Sequence, residues 1–525
     1  MRGVFFDDRV APVARSPYRA DVALFVGFVD RRRGKHLPDH DPHDEQLAQT
    51  IIEGNPQLYR WLVKEGWARG NPTLDREKKI DELIDIPVPI DRIETFDRLF
   101  AGDLRPWGDD AQHLHCDTYL RAAVRSFFVQ GGRLCYVVRV GTPPRAAATR
   151  SEVDAAIAER SARLAALLPS DPSAVDRATW RGVWTLFGLP DVSFVCLPDL
   201  PEIVRGPLPE EAAPLPRPEP PVAFEECSIP ATTEVPERQI RELFGPSSDD
   251  AGYAAWAAQL RTLVEQVSAP RSAGSLREVQ IIAAIPRPSD ERIGADLLAQ
   301  LRSLGIVNSA FLQLVYPWLA TKFSDDLPDG LEPPDGTLCG VLARNALARG
   351  TYRSVANQQL VLVTDARPSL QGRDLSDPAD LSTLGAHVTL LGHGPAGFVV
   401  LSDVTMSSEP TFRLAHANRL VSALVRALRL IGEEHAFEPS NERLWESLVE
   451  RSRLVLDEFW HAGALRGETR GEAFSVRCDR STMTQDDLDA GRVIVMVEVA
   501  LTVSIQRINV MLTRTRDGLQ LERAA

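Results

Sequence analysis

Cysteine is scarce in this sequence, and each cysteine stands alone. The 525 residues include six cysteines, and no two of them form a C-x-x-C pair. Disulfide-stapled domains and zinc knuckles need closely spaced cysteines, so this spacing argues against both. We expect reduced thiols, as in a protein that folds in the cytosol.

Long apolar runs are also missing. No apolar stretch reaches the roughly 18 residues that would indicate a membrane-spanning helix. The first residues, MRGVFFDDRVAP, contain no basic segment followed by an apolar core, so they do not resemble a signal peptide. We therefore expect synthesis and folding in the cytoplasm, without direct insertion into a membrane.

Positive charge is in deficit. The chain has 59 Lys and Arg against 73 Asp and Glu, which gives a net charge of −14. Non-specific nucleic-acid binding depends on a cationic surface, so nucleic acid is not an expected partner. Acidic charge keeps free subunits soluble and complements a basic partner surface.

Motifs of catalysis and nucleotide binding are absent. The sequence contains no Walker lysine, no HExxH and no nucleophile elbow. Paired carboxylates occur at Asp249-Asp250, Asp325-Asp326 and Asp486-Asp487, where neighbouring residues favour exposed turns. Many active sites carry no motif, but the pattern agrees with a structural protein. We predict that the chain is not an enzyme and that it needs no cofactor.

Two histidine-rich segments raise the possibility of a metal site. His36, His40 and His43 stand among aspartates, but the segment has turn composition and no ordered ligand spacing, which favours a solvated loop. His113 and His115 precede Cys116, and no further ligand follows at a suitable spacing. We therefore predict no metal site.

Two glycine-rich segments have simpler interpretations than ligand binding. Gly131-Gly132 follows a helical pattern and precedes a strand pattern, whereas a nucleotide loop runs from strand through glycines to helix. The pair is therefore predicted to end a helix. His393-Gly394 is predicted to form a turn rather than an oxyanion hole, because no G-x-S-x-G accompanies it.

Strand and helix patterns alternate along most of the chain, and its length predicts two to four domains. Buried strands are predicted at 21–29, 134–140, 279–286 and 310–315, and an extended segment at 83–93. Helices are predicted at 153–168, 251–267, 293–304 and 414–431. This alternation indicates α/β layers. Proline-rich residues 201–236 are predicted to form an extended, solvated excursion, with a ligand for an adaptor domain as the alternative.

The most informative stretch runs from Phe437 to Asp479. Asn441 is predicted to cap a helix, and Gly463 to end it. Apolar residues recur at helical spacing between them, and a strand is predicted from Ala473. Its order of segments, FEP-N-LW, W-x-x-GAL-x-G, EAF-x-V-x-CD and T-x-T-x-x-D-x-x-x-G, resembles the C-terminal domain of contractile tail sheath proteins. These proteins occur in phage tails and in phage-tail-like injection systems.

Three further patterns resemble the same family, in the family's order. They are the run AVRSFFVQGGRLCYVVRV at 123–140, the run GLPDVSFVCLPDL at 188–200, and the segments PPDG, GVLAR, RGTYR and AN between residues 333 and 357. Other segments depart from the family, including Val400–Thr405 and His416–Arg419. These departures leave open a main sheath subunit or a specialised paralogue.

The resemblance implies an α/β (α+β) fold: an inner C-terminal α/β domain, completed by the N-terminal strand, with an inserted outer α/β domain. The corresponding division is a linking arm at 1–20, the inserted region at 21–345 with its excursion at 201–236, and a sheath core at 346–525 with a terminal linking strand at 504–514. In the family, terminal strands pair with neighbouring subunits. Here those strands would be Val4–Arg9 and Ile505–Thr513, and their linking residues are Val4, Phe5, Phe6, Ile505, Ile508, Val510 and Leu512.

The function implied by the resemblance is that of a contractile sheath subunit. Stacked hexameric rings would surround an inner tube and contract to drive it through a target envelope. The expected partners are other copies of the chain, the inner tube protein, and baseplate and cap proteins. Assembly is expected in the cytoplasm, as part of a virion tail or phage-tail-like particle. Two alternatives remain: a sheath-like collar, baseplate or cap component, and an unrelated α/β enzyme.

Overall fold

A computed structural model describes thirteen ranges of the chain: 20–32, 56–67, 82–108, 114–208, 243–269, 276–289, 295–306, 308–370, 384–395, 397–435, 438–502, 507–515 and 518–524. The predicted N-terminal strand Val4–Arg9 lies outside these ranges, as does most of the proline-rich excursion. Within them, no helix combines the length and apolar character needed to cross a bilayer.

The described strands are β1 (Ala23–Phe28), β2 (Pro87–Ile90), β3 (Arg105–Trp107), β4 (Leu114–Cys116), β5 (Cys135–Gly141), β6 (Phe194–Cys196), β7 (Gln280–Ala284), β8 (Leu312–Tyr316), β9 (Trp318–Thr321), β10 (Val363–Arg367), β11 (Thr389–Gly394), β12 (Gly397–Val400), β13 (Phe474–Arg477), β14 (Val493–Ala500), β15 (Arg507–Thr515) and β16 (Gly518–Ala524).

The described α-helices are α1 (Pro56–Lys64), α2 (Ile93–Leu99), α3 (Tyr119–Val129), α4 (Arg150–Ala158), α5 (Arg160–Leu167), α6 (Leu200–Ile203), α7 (Asp250–Ser268), α8 (Ala295–Ser303), α9 (Asp335–Ala348), α10 (Pro410–Arg413), α11 (Ala415–Glu434), α12 (Glu442–His461), α13 (Arg470–Ala473) and α14 (Gln485–Asp489).

An eight-stranded sheet forms the centre of the fold, in the order β12-β11-β8-β7-β6-β1-β5-β2. Its six inner strands pair in parallel, and the outermost strands β2 and β12 pair antiparallel. The inner strands are mostly apolar and largely buried, as expected for a parallel sheet covered on both faces. The two prolines of β2 are tolerated because this strand lies at an edge.

Helices cover both faces of this sheet. One hydrophobic core includes residues of α2, α3 and α9, and the other includes residues of α5, α7 and α8. The arrangement is a three-layer α/β/α unit, which confirms the predicted mixed α/β class. Strands β11 and β12 belong to this sheet although they follow residue 345, where the sequence suggests that the inserted region ends. The domain boundaries themselves stay a prediction.

Helices α3 and α9 approach each other through small residues. A Cβ atom at Gly336 would lie 2.4 Å from the Ala123 carbonyl oxygen, and one at Gly340 would lie 2.4 Å from that of Phe127. Glycine at these two positions therefore allows the two helices to touch backbone to backbone. As predicted, Gly131 ends α3 with a positive φ of 107°.

One predicted helix differs from the structure. Residues 153–168 were expected to form a single helix, but α4 and α5 are separate, and α4 begins at Arg150. The early start has a local cause, because Thr149 and Glu152 form a reciprocal capping box.

Candidate assembly interface

A doubly wound sheet offers one natural place for a ligand. Ligands bind beyond the carboxyl ends of the strands where the strand order reverses. In this chain the order reverses at β1, because β5 lies on one side of it while β6, β7 and β8 extend on the other. The crevice to examine therefore lies between β1 and β6, at the N-terminus of α3.

The side chain of Asp199, which follows β6, fills this crevice. Its Oδ2 accepts a hydrogen bond from the backbone N–H of Phe28 at 2.6 Å, and its Oδ1 accepts one from the N–H of Leu120 at 3.1 Å. A carboxylate of the chain itself thus occupies the helix N-terminus where an external anion would otherwise bind. A Cβ atom at Gly27 would lie 2.4 Å from Asp199 Oδ2, so the packing there is already tight.

The surroundings of Asp199 are buried and charged. Arg105, with a side chain 1% exposed, pairs with Glu202 at 2.6 Å. Burial raises the pKa of Asp199 to about 7, against the two backbone hydrogen bonds that lower it. These side chains close the crevice from within, and their contacts hold β1, β6 and α3 together.

A metal site among the described residues would need at least three ligating side chains close together. No group of three His, Cys, Asp or Glu side chains is arranged there to hold a metal ion. His36, His40, His43 and His113 lie outside the described ranges, and Cys116 is buried. His393 and Gly394 end β11, so the turn of the β11–β12 hairpin follows them rather than including them, and the His393 ring centroid lies 4.3 Å from that of Phe398.

The second region of interest is a four-stranded antiparallel sheet, in the order β13-β14-β15-β16. Helices α11 and α12 share one hydrophobic core with β13 and β14. The Asn441 side chain caps α12 by accepting a hydrogen bond from the Leu444 N–H at 3.0 Å. Gly463 follows the helix with φ of 80°.

Helix α11 ties this core to the large sheet through buried ion pairs. Arg419 donates to both oxygens of Asp403, which follows β12, at 3.0 and 2.7 Å. Burial by itself raises the pKa of Asp403, but the charge and hydrogen bonds of Arg419 outweigh it and lower the pKa. Further along α11, Arg426 and Arg429 both pair with Glu278, just before β7, at 3.0 and 2.6 Å.

The outer strands of the small sheet are the candidate linking edges. Among the described strands, β13 and β16 each have a partner on one side only. An edge strand has unpaired N–H and C=O groups that another chain can satisfy, so each is a template for an added strand.

The structure describes only some of the predicted linking residues. Val4, Phe5, Phe6 and Ile505 lie outside the described residues. Ile508, Val510 and Leu512 lie in β15, in register with Val499, Val497 and Val495.

Strand β15 pairs with β14 on one side and β16 on the other within the same chain. The sequence predicted β15 as the last strand and missed β16, which takes the edge position. The role of these residues as intersubunit links stays a prediction.

No protein-family model and no curated protein sequence matches the chain. Several solved structures are similar to the chain in fold. A chain from the contracted helical sheath of the anti-feeding prophage is 16% identical, with a TM-score of 0.51, over 96% of this chain and 97% of that one. A chain from the contracted baseplate of the same particle is 16% identical, with a TM-score of 0.52, over 95% of each chain.

A further chain, from the six-fold symmetrised baseplate of the anti-feeding prophage, is 18% identical with a TM-score of 0.52, over 80% of this chain and 86% of that one. At such low identity the likeness concerns the fold, and it extends through both the large and the small sheet regions. The resemblance inferred from the sequence motifs is therefore confirmed at the level of the fold: this chain has the tail-sheath-like fold seen in the contractile anti-feeding prophage particle.

Proposed function

We propose that the chain is a contractile sheath subunit. Stacked hexameric rings of it surround an inner tube and contract to drive the tube through a target envelope. The observation that carries the proposal is the likeness to a helical sheath chain over 96% of the sequence. The crevice at Asp199 supports the same proposal. The Asp199 carboxylate fills the position where a doubly wound sheet usually binds a ligand, and its hydrogen bonds there are structural.

Linking of subunits is proposed to occur through the chain ends. Residues 1–20 form the linking arm, with Val4, Phe5 and Phe6 in its strand, and the terminal strand spans residues 504–514. An added strand of about six residues forms roughly six backbone hydrogen bonds, worth about 3–9 kcal/mol in total. Such links join neighbouring subunits while allowing rings to change spacing.

The partners follow from this role. They are further copies of the chain, the inner tube protein, and baseplate and cap proteins, assembled in the cytoplasm before the particle acts. The proposal requires no cofactor and no catalysis by this chain. The division into an inserted outer region at 21–345 and a core at 346–525 is part of the same proposal.

Deletion of residues 1–10 tests the linking arm. We expect the isolated subunit to keep its thermal melting temperature, while tubes visible to negative-stain electron microscopy disappear. Normal tubes from the truncated chain would contradict the proposal.

Paired cysteines test the terminal strand without removing it. Val499 and Ile508 are register partners in β14 and β15, so the variant Val499→Cys/Ile508→Cys can form a disulfide across this pair. On a non-reducing gel, isolated subunits should run as monomers, and assembled tubes should give ladders of linked chains. The single variant Val499→Cys serves as control. Assembled tubes that run wholly as monomers would show that β15 stays in its own subunit.

A baseplate or collar component is the second candidate, favoured by the two likenesses to baseplate chains. Electron microscopy of the purified protein separates the two functions: long tubes indicate a sheath, and discrete rings indicate the accessory role.

A further inference from the structure

Two buried carboxyl groups lie where helix α9 begins. Glu332 precedes the helix, Asp335 is its first residue, and both residues are 0% exposed. The backbone of Glu332 is fixed by two hydrogen bonds with Leu319 of β9, at 3.0 and 2.8 Å. Gly336, which follows directly, is a residue at which α9 meets the backbone of Ala123 in α3. The two carboxyl groups therefore lie beside the contact between α3 and α9.

The Glu332 carboxyl has hydroxyl donors but no cation. Its Oε1 accepts a hydrogen bond from the Ser126 hydroxyl of α3 at 2.5 Å, and its Oε2 accepts one from the Thr321 hydroxyl at 3.5 Å. Arg125 of α3 faces this group, but its guanidinium pairs with Asp117 at 3.1 Å. Among the residues that the structure describes, no Lys or Arg forms an ion pair with Glu332.

The Asp335 carboxyl is satisfied on one side only. Its Oδ1 accepts a hydrogen bond from the Gly336 N–H at 2.9 Å. Its Oδ2 has almost no accessible surface and receives no hydrogen bond within the described part of the chain. An ionised carboxylate with a bare, buried oxygen and no paired cation is strongly unfavourable, whereas its protonated form is neutral. A proton is also a ligand that needs no additional space.

Burial raises the pKa of both groups. For Glu332 it outweighs the hydrogen bond from Ser126 and the charge of Arg125, so the pKa rises to about 7. For Asp335 burial is joined by the negative charge of Glu332, and the pKa also rises to about 7. The thiol of Cys196 on β6 faces Asp335 as well, and burial raises its pKa well above the ordinary value, so it brings no charge.

We propose that Glu332 and Asp335 form a proton-dependent lock on the contact between α3 and α9: each carboxyl group holds a proton when the contact is closed, and loss of both protons loosens it. Ionisation places two like charges beside the contact, with no cation paired to either. Because the two groups interact, they should release their protons in two steps. This inference concerns a single subunit and does not depend on the proposed function.

The sign of the pH dependence follows from the raised pKa values. The contribution of the lock to stability is full below the unfolded-state pKa values, at about pH 4, and is lost as the pH rises through about 7. In this window the folded chain keeps protons that the unfolded chain has released. The folding equilibrium constant should therefore fall by up to about tenfold per pH unit for each carboxyl group.

Denaturant unfolding of the full-length chain between pH 5 and pH 8 tests the lock. The variant Glu332→Gln/Asp335→Asn carries amides that do not titrate. Its folding constant, divided by that of the parent, should rise about a hundredfold over this range. The matched control Glu450→Gln/Asp325→Asn makes the same changes at exposed positions, and its ratio to the parent should stay constant.

Infrared spectroscopy follows the protons directly through the C=O stretch of a protonated carboxyl group. Exposed carboxyl groups are already ionised at pH 6, so they do not contribute to the difference between pH 6 and pH 8. The parent should lose this band between the two pH values, and the variant Glu332→Gln/Asp335→Asn should show a smaller loss. Asp199, whose pKa is also raised to about 7 by burial, contributes equally to both chains.

Amide hydrogen exchange reports the contact itself. After correction for the intrinsic effect of pH, the amides of α3 and α9 should exchange faster at pH 8 than at pH 6 in the parent, and at equal rates in the variant. If the double variant does not fold, the single variants Glu332→Gln and Asp335→Asn provide the same measurements, each with about a tenfold change in the ratio.

Three outcomes would overturn the proposal: a ratio of variant to parent that stays constant with pH, the same rise in the control, or an equal infrared band loss in parent and variant. All three measurements use isolated subunits, so failure of the lock leaves tube formation as a separate observation.

Discussion

Replacing Arg419 with methionine should destabilise the subunit, because it leaves the buried carboxylate of Asp403 without its charged partner. The Arg419 side chain is 3% exposed and the Asp403 side chain 1%. Asp403 also accepts hydrogen bonds from the Gln313 amide and the Ser354 hydroxyl, each at 3.1 Å. The substitution removes a full positive charge that contacts both carboxylate oxygens and leaves these neutral donors in place.

Breaking a buried ion pair by removing one partner costs about 3–5 kcal/mol. The neutral donors that remain on Asp403 place the expected loss near the lower end, at about 3 kcal/mol. The double variant Asp403→Asn/Arg419→Met leaves no buried charge. It should therefore recover part of that loss, roughly 1–2 kcal/mol.

The pH dependence gives an independent check. In the parent, the lowered pKa of Asp403 contributes stability. This contribution is fully present at pH values above the ordinary aspartate pKa of about 4, and it is lost as the pH falls through the folded-state pKa. In Arg419→Met, only neutral hydrogen-bond donors still oppose burial, so the pKa of Asp403 should rise and the carboxyl should protonate more readily in the folded state. The stability gap between parent and variant should then narrow as the pH falls from about 7 towards about 4.

Guanidinium-induced unfolding at several pH values measures these free energies. The control is Arg92→Met, which removes one partner of an ion pair with Asp91 at 3.1 Å, where the two side chains are 49% and 41% exposed. That change should cost less than about 1 kcal/mol. Equal losses in the two arginine variants, or a gap that stays constant with pH, would refute the reasoning.

Two further substitutions probe the packing around α3. Glu332 is fully buried and accepts from Ser126 of this helix, and burial raises its pKa to about 7. The contribution of the protonated Glu332 side chain to stability is therefore full below about pH 4.5 and is lost as the pH rises through about 7. In denaturant titrations, the unfolding free energy of Glu332→Gln should gain about 1–3 kcal/mol relative to the parent between pH 5 and pH 8. A difference that stays constant with pH would contradict this. Gly336→Leu should cost about 3 kcal/mol of unfolding free energy by overpacking against Ala123. The control Gly471→Leu has open space around its Cβ position and should cost less than about 1 kcal/mol. Similar losses in the two variants would contradict the close contact between the helices.

The elements that the sequence predicts well are those with local signals. Helix α12 has its cap at Asn441, an apolar stripe along one side and a glycine at its end, and each of these is set by neighbouring residues. The helix α3, the Gly131 stop and strand β5 follow for the same reason. Helical and strand periodicity report which side of a segment is buried, and they need no knowledge of its partner.

The elements that the sequence misses depend on distant partners. Strand β16 is the short segment GLQLERA, in which the two leucines are the only large apolar residues, and its strand state comes from pairing with β15. The pairing of β11 with β8 joins segments more than 70 residues apart, which no local pattern reveals. Asp199 looks like an ordinary turn residue in the sequence, and only the fold brings the Phe28 and Leu120 N–H groups to its carboxylate.

If the chain forms a sheath as proposed, the ion pairs of α11 indicate which contacts change during contraction. Arg419, Arg426 and Arg429 bind carboxylates on the large sheet side, and α11 shares its hydrophobic core with the small sheet. Separating the two units within one subunit would break at least two buried ion-pair sites, each costing about 3–5 kcal/mol. The proposed strand links between subunits, at 4–9 and 505–513, involve none of these ion-paired residues. Under the proposed function, contraction should therefore rearrange the links between subunits and keep each subunit rigid across α11.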